Sequence, residues 1–138
     1  MEGSAMENKS GKRTILVIDD DERVLMALEC FLETEGYETA TAWSGHEGME
    51  LLRSQKFDLV LVDDYLWDMD VEVILKAVRR MEIPPLVMLT ESAPTPGTLK
   101  RYRDLGVNRW VGKWASCDEI ARVVQECFAG KLSEKVLV

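Results

Sequence analysis

The stretch Phe57-Asp58-Leu59-Val60-Leu61-Val62-Asp63-Asp64-Tyr65-Leu66 constrains the fold more than any other. Leu59 to Val62 run without polar alternation and end on two carboxylates. Such a run suits a central parallel strand buried on both faces, which puts the carboxylates at its carboxyl end. In open α/β sheets, ligands bind beyond that edge. The rest of the chain reads as elements that build a pocket around Asp63.

Ile15-Leu16-Val17-Ile18 is a first strand of the same kind, and it ends in Asp19-Asp20-Asp21-Glu22. Helix capping by Asp20 or Asp21, with Glu22 favoured by the macrodipole, explains one or two of these acids. A cation site explains all four. Glu22 to Glu35 carries Val24, Leu25, Leu28, Phe31 and Leu32 on one helical face, and Gly36 is the expected stop. Tyr37 to Ala42 reads as a short second strand. Ser44 with Glu47 forms a capping box for a helix to about Gln55, burying Met49 and Leu52. His46, in its first turn, is expected to be solvated.

After the third strand, a helix is predicted over Asp70 to Met81, with Val73, Ile74, Ala77 and Val78 inward. Leu86 to Leu89 is the fourth strand, ending in Thr90-Glu91-Ser92. A weaker helix follows the loop 93–97 and stops at Gly106. Trp110-Val111 begins a short fifth strand before Gly112-Lys113-Trp114. Ser116 and Glu119 cap a last helix with Ile120, Val123, Val124, Cys127 and Phe128 inside. Residues 1–12 read as a disordered lead-in, 13–130 as one domain, and 131–138 as a tail or the start of a linker.

Five βα units in strict alternation require a parallel sheet covered on both faces. Periodicity does not give the strand order. A 2-1-3-4-5 order would bring Asp19, Asp20 and Asp63 to one spot at the switch point. Net charge is −8, from 17 basic and 25 acidic residues, which argues against direct binding of nucleic acid or an anionic membrane. No apolar run reaches the roughly 18 residues of a membrane span. Three cysteines without metal-ligand spacing point to reduced thiols and a cytoplasmic setting, with Cys30 and Cys127 as buried filler.

The strand ends collect Asp19, Asp20, Asp63, Thr90 and Lys113. Three clustered carboxylates need a counter-charge, and Mg²⁺ suits oxygen ligands while leaving positions open. An aspartate nucleophile, a hard cation, an ammonium and a hydroxyl are the parts of aspartyl-phosphate chemistry.

At these motifs the sequence resembles the receiver domain of two-component response regulators, the CheY-like family, from about Arg13 to Gly130. The carrying segments are Ile15–Glu22, Asp58–Asp63, Val87–Thr90 and Gly106–Lys113. The resemblance implies a (βα)5 flavodoxin-like, doubly wound sheet of order 2-1-3-4-5. It implies that Asp63 accepts a phosphoryl group from a histidine kinase or phosphotransfer protein, with at most self-phosphorylation from small donors and autodephosphorylation as enzymatic activity. Asp20, Asp63 and the Tyr65 carbonyl would ligate Mg²⁺, with Asp19 acting mainly through water. Thr90 and Lys113 would bind phosphoryl oxygens. Trp110 stands at the switch aromatic position and would turn inward on phosphorylation. A homodimer through the fourth helix, fifth strand and fifth helix is a further family expectation.

The chain departs from the family around the pocket. Leu66-Trp67 and Val71 replace the usual Met-Pro and Gly after the phosphoacceptor, which changes how that loop is held. Glu91 replaces a small residue after Thr90, where it would repel a phosphoryl group or narrow access. Trp114 replaces a proline, so a trans Lys113–Trp114 bond and a less well aimed Lys113 are expected. Trp67, Trp110 and Trp114 would lie near one face, as partly buried loop residues or as a partner-binding patch. The alternative reading is a pseudo-receiver, an interaction module that is not phosphorylated. An aspartate-nucleophile phosphatase is disfavoured by Tyr65, where such enzymes carry a second Asp. A flavodoxin-type binder is disfavoured by the lack of a phosphate loop.

Overall fold

The computed structural model describes residues 11–81 and 85–130 and the backbone of 136–137. The expected lead-in over 1–12 lies almost wholly outside the described residues. The apolar runs form β1 (Thr14–Ile18), β2 (Glu38–Ala42), β3 (Leu59–Asp63), β4 (Leu86–Thr90) and β5 (Val107–Gly112). Between and after them lie α1 (Glu22–Thr34), α2 (Gly45–Ser54), α3 (Val71–Arg80), α4 (Pro96–Asp104) and α5 (Cys117–Phe128). The strands are all parallel, in the order β2-β1-β3-β4-β5. Beside β5 runs a two-residue strand, β6 (Val136–Leu137), within the segment read from sequence as a tail. Two residues are too few to show periodicity.

Each strand divides its side chains between two cores. Leu16, Ile18, Val60, Val62, Met88 and Trp110 face α2, α3 and α4, while Ile15, Val17, Leu59, Leu61, Leu89 and Val111 face α1 and α5. Burial on both faces is the reason the strands read as unbroken apolar runs. Helix starts follow the expected chemistry. Asp21 caps α1 through the Arg23 N–H, Ser44 caps α2 through Glu47, and Ser116 caps α5 through Glu119. Glu47 reaches back to the N–H of Trp43, one residue earlier than a standard capping box. Gly36 ends the turn after α1 at φ +95, a conformation that suits glycine.

Three readings need correction. The fifth strand starts at Val107, because Asn108 and Arg109 interrupt its apolar pattern without ending it. A bulge skips Asn108, and its side-chain oxygen accepts the Leu86 N–H at 2.8 Å. Cys30 is exposed, since it falls opposite the Val24-Leu28-Leu32 stripe of α1; only Cys127 is buried. In α3 the inward residues are Val71, Ile74, Leu75, Ala77 and Val78, whereas Val73 is 48% exposed. The helix is rotated toward Leu75 from the expected stripe. Leu75→Ala is therefore expected to cost about 2–5 kcal/mol. Val73→Ala should stay within about 0.5 kcal/mol in urea unfolding. Equal costs would contradict this packing.

Candidate functional site

Five side chains meet at the carboxyl edge because the strand order puts β1, β3, β4 and β5 side by side. Asp19 follows β1, and its N–H extends the ladder to the Ala42 carbonyl at 3.0 Å. Asp63 closes β3, Thr90 closes β4, and the Lys113 N–H donates to the Thr90 carbonyl at 2.8 Å. Lys113 Nζ lies 3.2 Å from Asp19 Oδ1 and 3.3 Å from Asp63 Oδ2. All three side chains are almost completely buried. Asp19 Oδ1 also accepts the Asp21 N–H at 2.8 Å, and Asp63 Oδ1 accepts the Tyr65 N–H at 3.4 Å.

The electrostatics follow from crowding carboxylates out of water. Burial pushes Asp19 up to about 6, with Asp63 adding to the rise and the Asp21 N–H and Lys113 opposing it. Burial likewise pushes Asp63 up to about 6 against the pull of Lys113, and it pushes Asp64 up as well. Burial would lower Lys113, yet Asp19 and Asp63 outweigh it and hold the ammonium above its ordinary value.

Asp19, Asp20 and Asp63 each offer an oxygen within 4.8 Å of the others. Asp19 Oδ2 is buried and has no hydrogen-bond partner among the described residues. Asp20 is exposed, which leaves the group open to solvent on one side. Clustered oxygens, an unsatisfied lone pair and an open side suit a hard divalent cation that keeps water ligands. The hydroxyl of Thr90 is also buried without a partner among the described residues.

A family model for the response regulator receiver domain matches residues 15–125. The chain belongs to the response regulator receiver domain family. It is 38% identical over 77 residues to the transcriptional regulatory protein AfsQ1 of Streptomyces coelicolor, a match covering 56% of this chain and 34% of that protein. It is 29% identical over 107 residues to the transcriptional regulatory protein DltR of Streptococcus agalactiae, covering 77% and 47%. The chain thus spans about a third to a half of the length of these relatives. A CheY-like receiver structure from Methanospirillum hungatei superposes with a TM-score of 0.82 at 24% identity, over 88% of this chain and 97% of that one. The receiver family is a signalling family rather than a class of conventional enzymes.

Several features of this receiver domain differ from the sequence reading. Lys113 is well aimed although Trp114 follows it through a trans bond. Trp110 is fully buried already, so no inward turn remains for it to make from this conformation. Of the three expected tryptophans, Trp110 joins no exposed patch, because it is buried in the core. Trp67 stacks on Trp43 with centroids 5.7 Å apart, whereas Trp114 is exposed near the Arg23 guanidinium. His46 has an exposed ring but is not simply solvated, because its Nδ1 stands 2.5 Å from Asp68 Oδ2. No helix among the described residues is long and apolar enough to cross a membrane.

Sequence reasoning missed Asp68, Trp43 and the ion pair of buried Arg109 with half-buried Glu126 (2.8 Å). Arg109 sits just ahead of the apolar pair Trp110-Val111, so the pattern alone leaves it outside the strand. Asp68 and Trp43 give no local signal, since their contacts span more than twenty residues.

A carboxyl whose ordinary value is 3.8 but which sits near 6 when folded binds its proton more tightly in the fold. Its stabilising contribution is full below pH 3.8 and is lost as pH rises through about 6. In chelator, Asp63→Asn is expected to be more stable than wild type at neutral pH by about 1–2 kcal/mol. The gap should close on acidification below pH 3.8. A variant no more stable at neutral pH would contradict this account of the pocket.

Proposed function

We propose that this receiver domain accepts a phosphoryl group on Asp63 from the phosphohistidine of a histidine kinase or phosphotransfer protein. The observation that carries the reading is the ammonium of Lys113 held between Asp19 and Asp63 at 3.2 and 3.3 Å. A carboxylate oxygen of Asp63 attacks phosphorus, the P–N bond breaks, and the imidazole leaves and takes up a proton. Asp20, Asp63 and the Tyr65 carbonyl would hold Mg²⁺, with Asp19 acting mainly through water. The bound cation would neutralise charge on the transferring group. Lys113 exchanges part of its carboxylate pairing for a phosphoryl oxygen, and the Thr90 hydroxyl gains the partner it otherwise lacks among the described residues.

The switched surface would include α4, which buries no residue completely. It is tied to α3 by the ion pair Arg101–Glu72 and by Arg79 donating to the Asp104 carbonyl. Since Trp110 is already inside, the output would be read through α4 and the loop after Thr90 and not through rotation of the indole. That output is a partner or an output domain, in keeping with the regulators of transcription that the chain resembles. A symmetric dimer through α4, β5 and α5 belongs to the same proposal.

The pseudo-receiver reading would have Glu91 fill the phosphate site. Its carboxylate is 78% exposed and stands 4.0 Å from Lys113 Nζ, a screened rim position and not an occupying one. Beryllofluoride, a phosphoryl mimic, tests the proposal. Tryptophan fluorescence should respond to it only with Mg²⁺ present, and Asp63→Asn should abolish the response. Lys113→Ala should weaken binding at least about tenfold, as expected when one partner of a buried charge pair is removed. A wild type silent in fluorescence and in calorimetry would overturn the proposal. Glu91→Ala should speed labelling by a small anionic phosphodonor severalfold at low salt, and the gain should shrink as salt rises. An unchanged rate would remove Glu91 from the account of access.

A further inference from the structure

The loop from Asp64 to Asp70 carries the Tyr65 carbonyl and contains neither proline nor glycine. Its conformation is set by contacts made across the chain, with the corner between β2 and α2. The Asp68 carboxylate accepts the Gly45 N–H at 2.8 Å and the His46 N–H at 2.9 Å, and it meets His46 Nδ1 at 2.5 Å. Its side chain is only 5% exposed. Burial alone would raise this carboxyl, but the donors at the start of α2 outweigh burial and bring it below the usual range. On one side Trp67 stacks on Trp43, their planes 24° apart. On the other, Met69 covers Gly45 so closely that a Cβ there would fall 2.5 Å from Met69 Cγ.

The corner that receives this clamp is itself fixed to the pocket. At Gly48, a Cβ would fall 2.6 Å from Ile18 Cδ1, so α2 lies directly on β1. Ile18 is the residue before Asp19. One rigid block, β1 with α2, therefore places Asp19 and also anchors the loop that follows Asp63.

We infer that Asp68 is a positioning residue for the metal site: it clamps the loop after Asp63 to the start of α2 and so fixes the Tyr65 carbonyl relative to Asp19, Asp20 and Asp63. The inference rests on the Mg²⁺-dependent reading above. The clamp takes the place of the turn residues that this loop lacks, with a carboxylate and a helix start in the role of a proline and a glycine. It belongs to the outer layer of contacts that orient metal ligands, where single losses typically weaken binding by about ten- to a hundredfold.

The test is a calorimetric Mg²⁺ titration of wild type, Asp68→Ala, Asp68→Asn, Gly45→Ala and Gly45→Ala/Met69→Ala, each checked for folding by thermal melting. The exciton couplet of the stacked Trp43 and Trp67 indoles in circular dichroism reports the clamp without any metal. Asp68→Ala is expected to lose the couplet and to weaken Mg²⁺ about tenfold. Asp68→Asn keeps an acceptor oxygen for one of the two backbone donors and sets its NH2 against the other, so it should fall between wild type and Asp68→Ala. Gly45→Ala leaves the loop sequence untouched but pushes on Met69. It should weaken Mg²⁺ as well, with part of the loss restored when Met69 is also shortened. If a folded Asp68→Ala loses the couplet and binds Mg²⁺ like wild type, Asp68 is structural only and the inference fails. It fails equally if Asp68→Ala keeps the couplet, or if Gly45→Ala leaves Mg²⁺ affinity unchanged. Absence of Mg²⁺ binding by wild type would instead sink the metal reading itself, and the inference with it.

Discussion

The site depends on one cation among carboxylates. Asp19 and Asp63 are buried side by side because β1 and β3 are neighbours, and Lys113 comes between them because β5 ends opposite Thr90, the last residue of β4. Without that ammonium, two buried carboxylates would both be driven to take up protons. With it, they remain only partly relieved, and burial still holds both near 6. The pocket is therefore built short of positive charge. Under the proposed function a divalent cation would relieve that imbalance against Asp19, Asp20 and Asp63, while Lys113 and the Thr90 hydroxyl would serve as donors to the phosphoryl oxygens.

The β5 strand links this edge to both faces of the sheet. Trp110 fills the core beneath α3 and α4, while its neighbour Arg109 is buried toward α5 and paired with Glu126. Burying both a tryptophan and an arginine in adjacent positions fixes the strand firmly, and removing Glu126 would take away the carboxylate that pairs the buried Arg109. The least buried helix is α4, whose sequence is polar, which sets Leu99 and Tyr102 against the core and is tied to α3 through Arg101 and Arg79. In the proposed switch, a change at Thr90 would have a short route to α4 through the loop that connects them.

Much of the architecture was legible because parallel strands buried on both faces leave unbroken runs such as Leu59–Val62 and Leu86–Leu89. Strand ends then located Asp19, Asp20, Asp63, Thr90 and Lys113 without knowledge of the three-dimensional contacts. Strand order was not legible from periodicity and came from family resemblance. What failed was local detail decided by tertiary contacts. Although the exposure of Cys30 could be read from the apolar stripe of α1 itself, the rotation of α3 toward Leu75 depends on a neighbouring element. The Asp68 clamp was invisible for the same reason, since nothing in a seven-residue loop announces a helix start some twenty positions away. The substitutions around the pocket were visible as departures, but their effect on Lys113 was not: pairing with Asp19 and Asp63 aims its side chain whatever residue follows it.

The central claim is that Asp63 is the phosphoacceptor. Its most direct test is chemical. The protein is incubated with Mg²⁺ and a small phosphodonor, the acyl phosphate is reduced with borohydride, and the product is mapped by tandem mass spectrometry. The account predicts conversion of residue 63 to homoserine, dependent on Mg²⁺ and absent from Asp63→Asn. Conversion at Asp20 or Asp64 instead, or no conversion in wild type under conditions that label a known receiver domain, would contradict it.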